Sequence, residues 1–206
     1  MHPRKVWAWR RGRLMQRYGS SKHIEIGEIM AIYEFEGKRP RIGKTSYVHP
    51  SAVIIGDVEI GEGCWIGPQV SIRADVNSIR IADKSNLQDS VVVHGDTNLG
   101  EYSHIGHAAV LHGCTLEEHV LVAINAVVLD GVKVGEWSVI AAGAVVAPRA
   151  VIPAYSMVMG VPASVVGTVP AERKETFSEE GAYLTFPRRY PENLIEISME
   201  DAQISG

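Results

Sequence analysis

No run of 18 or more apolar residues occurs in this 206-residue chain, so a membrane-spanning helix of ordinary length is excluded. Cysteine is scarce. Cys64 and Cys114 are the two present, and they form neither a disulfide framework nor a CxxC metal motif. Excess positive charge is also missing from most of the chain. Residues 1–29 hold seven Lys or Arg against two Glu, leaving 13 basic and 22 acidic residues, net −9, over 30–206. That acidic body argues against nucleic acid as the main partner. With 46% hydrophobic and 21% charged residues, the composition is that of one globular domain with a sizeable core.

The opening segment, MHPRKVWAWRRGRLMQRYGSSKH, is Arg-rich and lacks acids, like an organellar transit peptide. Met30, however, opens MAIYEFEGKRPRIG as a plausible start, and the codons for Gly27–Ile29 can carry a purine-rich ribosome-binding site. Residues 1–29 are therefore read as an over-extended gene start or a poorly ordered extension, and the protein as cytoplasmic.

What the chain does have is a period of six. From Ile42 the series runs through Val48, Ile54, Ile60, Ile66 and Ile72, and after a nine-residue step it resumes at Ile81, Leu87, Val93, Leu99, Ile105 and Leu111. A five-residue step leads to Leu116, Val122, Val128, Val134, Ile140, Val146, Ile152 and Val158. Two residues earlier the chain is nearly always small, as at Ala52, Cys64, Ser85, Ser103, Ala109, Cys114 and Ala144. A helical period of 3.6 does not fit, and 20 glycines oppose it. Short strands joined by tight turns do fit, each burying one large and one small residue. Three hexapeptides make one triangular coil, and parallel hydrogen bonding stacks coils about 4.8 Å apart. The expected fold is an all-β parallel β-helix over 30–166, with both cysteines in packing slots. Residues 167–206 lose the repeat. A short helix starting at Pro170 and ending at Gly181 is expected there, then an extended arm, because Pro187 and Pro191 oppose one long helix.

The slot after each aliphatic residue normally holds something small, but Arg73, Gln88, His94 and His112 occupy it with functional groups. His94 and His112 lie 18 residues apart in one frame, hence one coil above the other, close enough for both imidazoles to meet a single metal. His107 stands five residues before His112, roughly 16 Å away if extended at ~3.3 Å per residue. It can join them only from a neighbouring subunit, which ties a metal site to a trimer. His49, His104 and His119 are read as ordinary solvated or hydrogen-bonded residues.

The motifs RAD at 73–75, NLQD at 86–89, VVHGD at 92–96 and IGHAAVLHGC at 105–114 resemble the γ-class carbonic anhydrases and their bacterial and archaeal relatives. The resemblance covers about residues 31–166 and implies a left-handed hand for the β-helix, which spacing cannot supply. It further implies a homotrimer with Zn²⁺, or Fe²⁺ or Co²⁺, between subunits: His94 and His112 from one chain, His107 from the next. Arg73 and Asp75 resemble the family's inter-subunit ion pair, and Asn86 and Gln88 its polar active-site residues, with Gln88 orienting metal-bound water. Tyr155 is a further candidate from the last coils. Three neutral imidazoles around a cation lower the pKa of bound water, so the implied reaction is hydration of carbon dioxide to bicarbonate. The chain departs from the best-characterised members in two places. Val76 replaces a glutamate after the Arg-x-Asp, and no acidic loop follows His94; Asp96 and Glu101 are the nearby carboxylates. Turnover limited by proton export is expected. Thioester hydrolysis on the same metal, CoA-dependent acyl transfer by a catalytic histidine, and a non-catalytic scaffold are the competing functions.

Overall fold

The computed structural model describes residues 31–170, 181–197 and 202–203. It also gives the backbone of three short antiparallel strands, Val6–Arg10, Arg13–Tyr18 and Lys22–Ile24. The reading of residues 1–29 as a basic leader otherwise lies outside the described residues.

The hexapeptide series becomes about seven coils of a left-handed parallel β-helix. Residues of the first face pair in parallel from Tyr47–Val48 through Trp65–Ile66, Asn86–Leu87, His104–Ile105, Leu121–Val122 and Val139–Ile140 to Ser156–Gly160. The second and third faces share one twelve-stranded sheet, because strands Val53–Ile60 and Ser71–Ile81 run through the corner between them. Nineteen of the twenty aliphatic positions lie in the core, and the twentieth, Ile42, packs against it half-buried. The small slots are buried as well, including Cys64 and Cys114. A prism with one large and one small inward residue per side has no room for anything bigger, which is why the pattern admits so few substitutions.

The two irregular steps become distinct corner shapes. Between the second and third faces, Gly56 pairs with Ala74 and Val58 with Ile79, so the nine-residue step is a three-residue insertion that leaves the core frame intact. It projects Asp75 and Val76 outward from the corner. The five-residue step makes a tight corner at Gly113, which has φ +63°; a Cβ there would lie 2.5 Å from Asp130 Oδ1, so only glycine fits without rearrangement.

The expected short C-terminal helix is present, but at other residues. Residues 171–180, where a helix starting at Pro170 was expected, lie outside the described residues. Helix α1 spans Ala182–Asn193 with both Pro187 and Pro191 inside it. An interior proline costs a helix about 3 kcal/mol through its missing N–H and ring clash. Packing offsets that cost. Tyr183, Phe186 and Tyr190 fall on one side of α1 and place their rings 5.5, 5.4 and 5.3 Å from that of Trp65 on the first face. Tyr190 also lies 5.2 Å from Tyr47. The helix therefore straps the first face instead of leaving it as an arm. Among the described residues no helix is long and apolar enough to cross a membrane.

Candidate functional site

Parallel register brings like corners together one coil apart, and two corners gather the histidines. Between the second and third faces, Arg73, His94 and His112 stand in one ladder, His94 paired with Arg73 below and His112 above. The two imidazole centroids are 5.0 Å apart, with His94 Nδ1 3.1 Å from His112 Nε2. Each ring's other nitrogen meets a carboxylate: His94 Nε2 lies 3.1 Å from Asp75 Oδ1, and His112 Nδ1 2.8 Å from Asp130 Oδ1. Asp75 in turn pairs with Arg73 of its own chain. The guanidinium and the imidazole together hold the Asp75 carboxyl below its ordinary range. If each ring gives its single N–H to its carboxylate, the facing nitrogens both carry lone pairs. That donor set fits two adjacent positions on a tetrahedral zinc. It is incomplete, since among the described residues no group of three His, Cys, Asp or Glu side chains is placed to hold a metal.

The second corner lies between the first and second faces. Here the Ala108 N–H donates to the Asp89 carbonyl and the Asn125 N–H to the His107 carbonyl, both at 2.9 Å, which sets residues 89 and 107 one above the other. His107 Nδ1 is 2.9 Å from Asp89 Oδ2, and both side chains are more than 40% exposed. Neutral His107 oriented in this way keeps Nδ1–H for the carboxylate and leaves the Nε2 lone pair outward. Tyr183 of α1 places its hydroxyl 3.4 Å from that Nε2. Burial, reinforced by the negative charge of Asp89 and by Tyr190, pushes the Tyr183 hydroxyl above its ordinary pKa.

Asn86 and Gln88 belong to the His107 side, not to the His94–His112 pair. Gln88 Nε2 donates to Asn86 Oδ1 at 3.2 Å, and Asn86 Nδ2 lies 2.7 Å from His104 Nδ1 in a buried chain along the first face. Burial, with a smaller contribution from His119, pushes His104 down to about 4. Tyr155 is elsewhere: it donates to Glu136 Oε1 at 3.1 Å, on the third corner. There it continues the left-handed corner positions of Tyr102, His119 and Trp137, whose rings stack nearly parallel.

Sequence reading thus placed His94, His112 and His107 at their corners and named Asp75 as the partner of Arg73. It missed Asp75 as the partner of His94, and it missed Asp89, Asp130 and Tyr183. Asp89 and Asp130 each stand 18 residues from their histidine, so the coil period itself could have found them. Tyr183, 76 residues from His107, left no such signal.

Residues 39–76 and 113–148 match the family "Bacterial transferase hexapeptide (six repeats)". The chain is 46% identical over 102 residues to the carnitine operon protein CaiE of Escherichia coli, covering 48% of this chain, and it spans about half the length of that curated relative. A hexapeptide transferase family protein from Anaplasma phagocytophilum superposes with a TM-score of 0.76 at 30% identity, over 78% of this chain and 98% of that one. Perosamine N-acetyltransferase from Caulobacter crescentus, solved with CoA and GDP-perosamine, gives a TM-score of 0.55 at 33% identity, over 59% and 56% of the two chains. These relatives overturn the assignment as a carbonic anhydrase: one is a hexapeptide transferase family protein and another an N-acetyltransferase, so the enzyme class they point to is a transferase and not a lyase acting on carbon dioxide. The match to the Anaplasma protein extends over nearly all of that protein, and with it the chain belongs to the hexapeptide-repeat transferase family.

Proposed function

We propose that this protein transfers an acyl group from a CoA thioester to an amine or hydroxyl acceptor, with His107 as general base. The observation that carries the reading is the His107–Asp89 pair at 2.9 Å, solvent-accessible and with Nε2 directed away from the carboxylate. The family membership and the acetyltransferase activity of the Caulobacter relative support it. In this mechanism the acceptor's N–H or O–H gives its proton to His107 Nε2 as the acceptor atom attacks the thioester carbonyl carbon. Asp89 stabilises the imidazolium that forms. The tetrahedral intermediate collapses, the C–S bond breaks, and the departing thiolate of CoA takes the proton from Nε2. His112 is the weaker candidate for the base because its outward nitrogen already faces His94.

The active assembly is proposed to be a homotrimer. Val92 and Ile124, exposed apolar residues on the face and corner beside His107, support contact with another copy there. Thiol release from acetyl-CoA in the presence of amino-sugar and amino-acid acceptors tests the chemistry. A positioned general base contributes about 10²–10⁴-fold, so His107→Ala should lose activity by that factor and Asp89→Asn by less. Undiminished turnover in His107→Ala would refute the reading.

A second reading rests on the facing nitrogens of His94 and His112. They would hold a divalent metal such as Zn²⁺, which when bound supplies a water of lowered pKa, with His107 of a neighbouring copy as third ligand. Metal analysis separates the two readings. Under the first, His107→Ala leaves the metal content unchanged while activity falls; under the second, both fall together.

A further inference from the structure

We infer that Tyr183 is the hydrogen-bond donor to the reacting acyl carbonyl, delivered to the site by helix α1. The inference rests on His107 being the base. Its starting point is a contact between residues 76 positions apart: the Tyr183 hydroxyl stands 3.4 Å from His107 Nε2, the nitrogen that Asp89 leaves outward. That separation is long for an O–H···N bond, so it breaks at little cost when an acceptor arrives. The acceptor atom must come within hydrogen-bond distance of Nε2 to give up its proton. An atom there is also close to the Tyr183 oxygen. The carbonyl being attacked then lies beside a hydroxyl that has just lost its resting partner, which is the arrangement an oxyanion donor requires.

The placement of α1 makes the geometry specific. The helix has no side-chain cap at Gly181 and carries two interior prolines, so its own backbone does little to hold it. The ring contacts with Trp65 hold it instead, and Tyr183 makes one of them at 5.5 Å. Its ring is thus anchored while its hydroxyl projects to the corner. No proton moves to or from Tyr183 in the step. As the acceptor–carbon bond forms, the carbonyl π electrons move onto oxygen and that oxygen accepts the Tyr183 O–H bond. When the C–S bond breaks the carbonyl re-forms and the hydroxyl is released unchanged. His107 alone carries the proton from acceptor to thiolate.

Tyr183→Phe in the full chain is the test, because phenylalanine keeps the ring packing and removes only the hydroxyl. Thiol release from acetyl-CoA is followed with glucosamine as acceptor and with water alone, beside wild type and His107→Ala. Loss of one oxyanion donor lowers kcat by about 100- to 1,000-fold. The expected result is a fall of that order in kcat for Tyr183→Phe, with KM for acetyl-CoA changed little and the near-ultraviolet circular dichroism of the aromatic cluster preserved. Wild-type kcat in Tyr183→Phe, with the cluster intact, would mean that the residue only packs and would overturn this inference alone. Wild type releasing thiol no faster than His107→Ala would remove the base reading and this inference with it.

Discussion

Acidification offers a direct measure of the buried chain Gln88–Asn86–His104. His104 is 8% exposed, bonded to Asn86, and pushed down to about 4 by burial. An unfolded chain binds a proton at this residue near pH 6.5, whereas the folded protein resists until about pH 4. Between those values the unfolded state holds more protons, so stability rises with pH across the window and is lost as pH falls through it. One pH unit is worth 1.36 kcal/mol, so acidification from pH 7 to pH 5 costs about 2 kcal/mol at this one residue. Urea unfolding followed by tryptophan fluorescence at the two pH values gives the total change for wild type. The same pair of measurements on His104→Gln, which cannot titrate, subtracts every other group, including His49 and His119, which burial also lowers. The expected difference between the two pH dependences is about 2 kcal/mol, with wild type the more acid-sensitive. Identical pH dependences would show that His104 accepts its proton at ordinary pH and that the burial argument is wrong.

Other outcomes follow from the same geometry. Cys64 and Cys114, raised by burial to about 11 and 12, should not react with an aromatic disulfide at pH 8 until denaturant is added, when both thiols should titrate. Gly113→Ala should lower stability by about 1–3 kcal/mol in thermal unfolding, because its left-handed backbone and the Asp130 carboxylate both oppose a Cβ. Leu111→Ala, at a fully buried core position immediately before His112, should cost about 2–5 kcal/mol by the same assay.

The period of six was enough to place the core because each coil repeats the same steric problem. Ile54, Val93 and Leu116 solve it alike, and a misplaced residue would leave a void or a clash. The same frame located His94 beneath His112, since one coil is 18 residues wherever no corner is altered. It could not show what the altered corners do. The insertion at 75–78 reads as a gap in the series, yet in three dimensions it carries Asp75 onto His94. Nor could local propensity find α1. Two prolines argued correctly about the helix backbone and wrongly about the outcome, because the deciding contacts lie on Trp65, more than a hundred residues away. The resemblance to γ-class carbonic anhydrases rested on short motifs at the corners, and the wider relatives point to transferases. A shared scaffold with similar histidine placement does not fix the reaction.

Parallel stacking also makes the protein extensible in units of one coil. Duplicating 18 residues after Val134 would lengthen the prism by about 4.8 Å, supply its own neighbours, and leave His94, His107 and His112 beside their carboxylates. Inserting a coil without histidines between His94 and His112 would instead double their separation and abolish the pair while the hydrophobic core closed as well as before. Tolerance to change is therefore directional along this molecule. Its length is free to drift beyond Asp130, whereas the stretch from Asp75 to Asp130 is fixed by contacts that reach across coils.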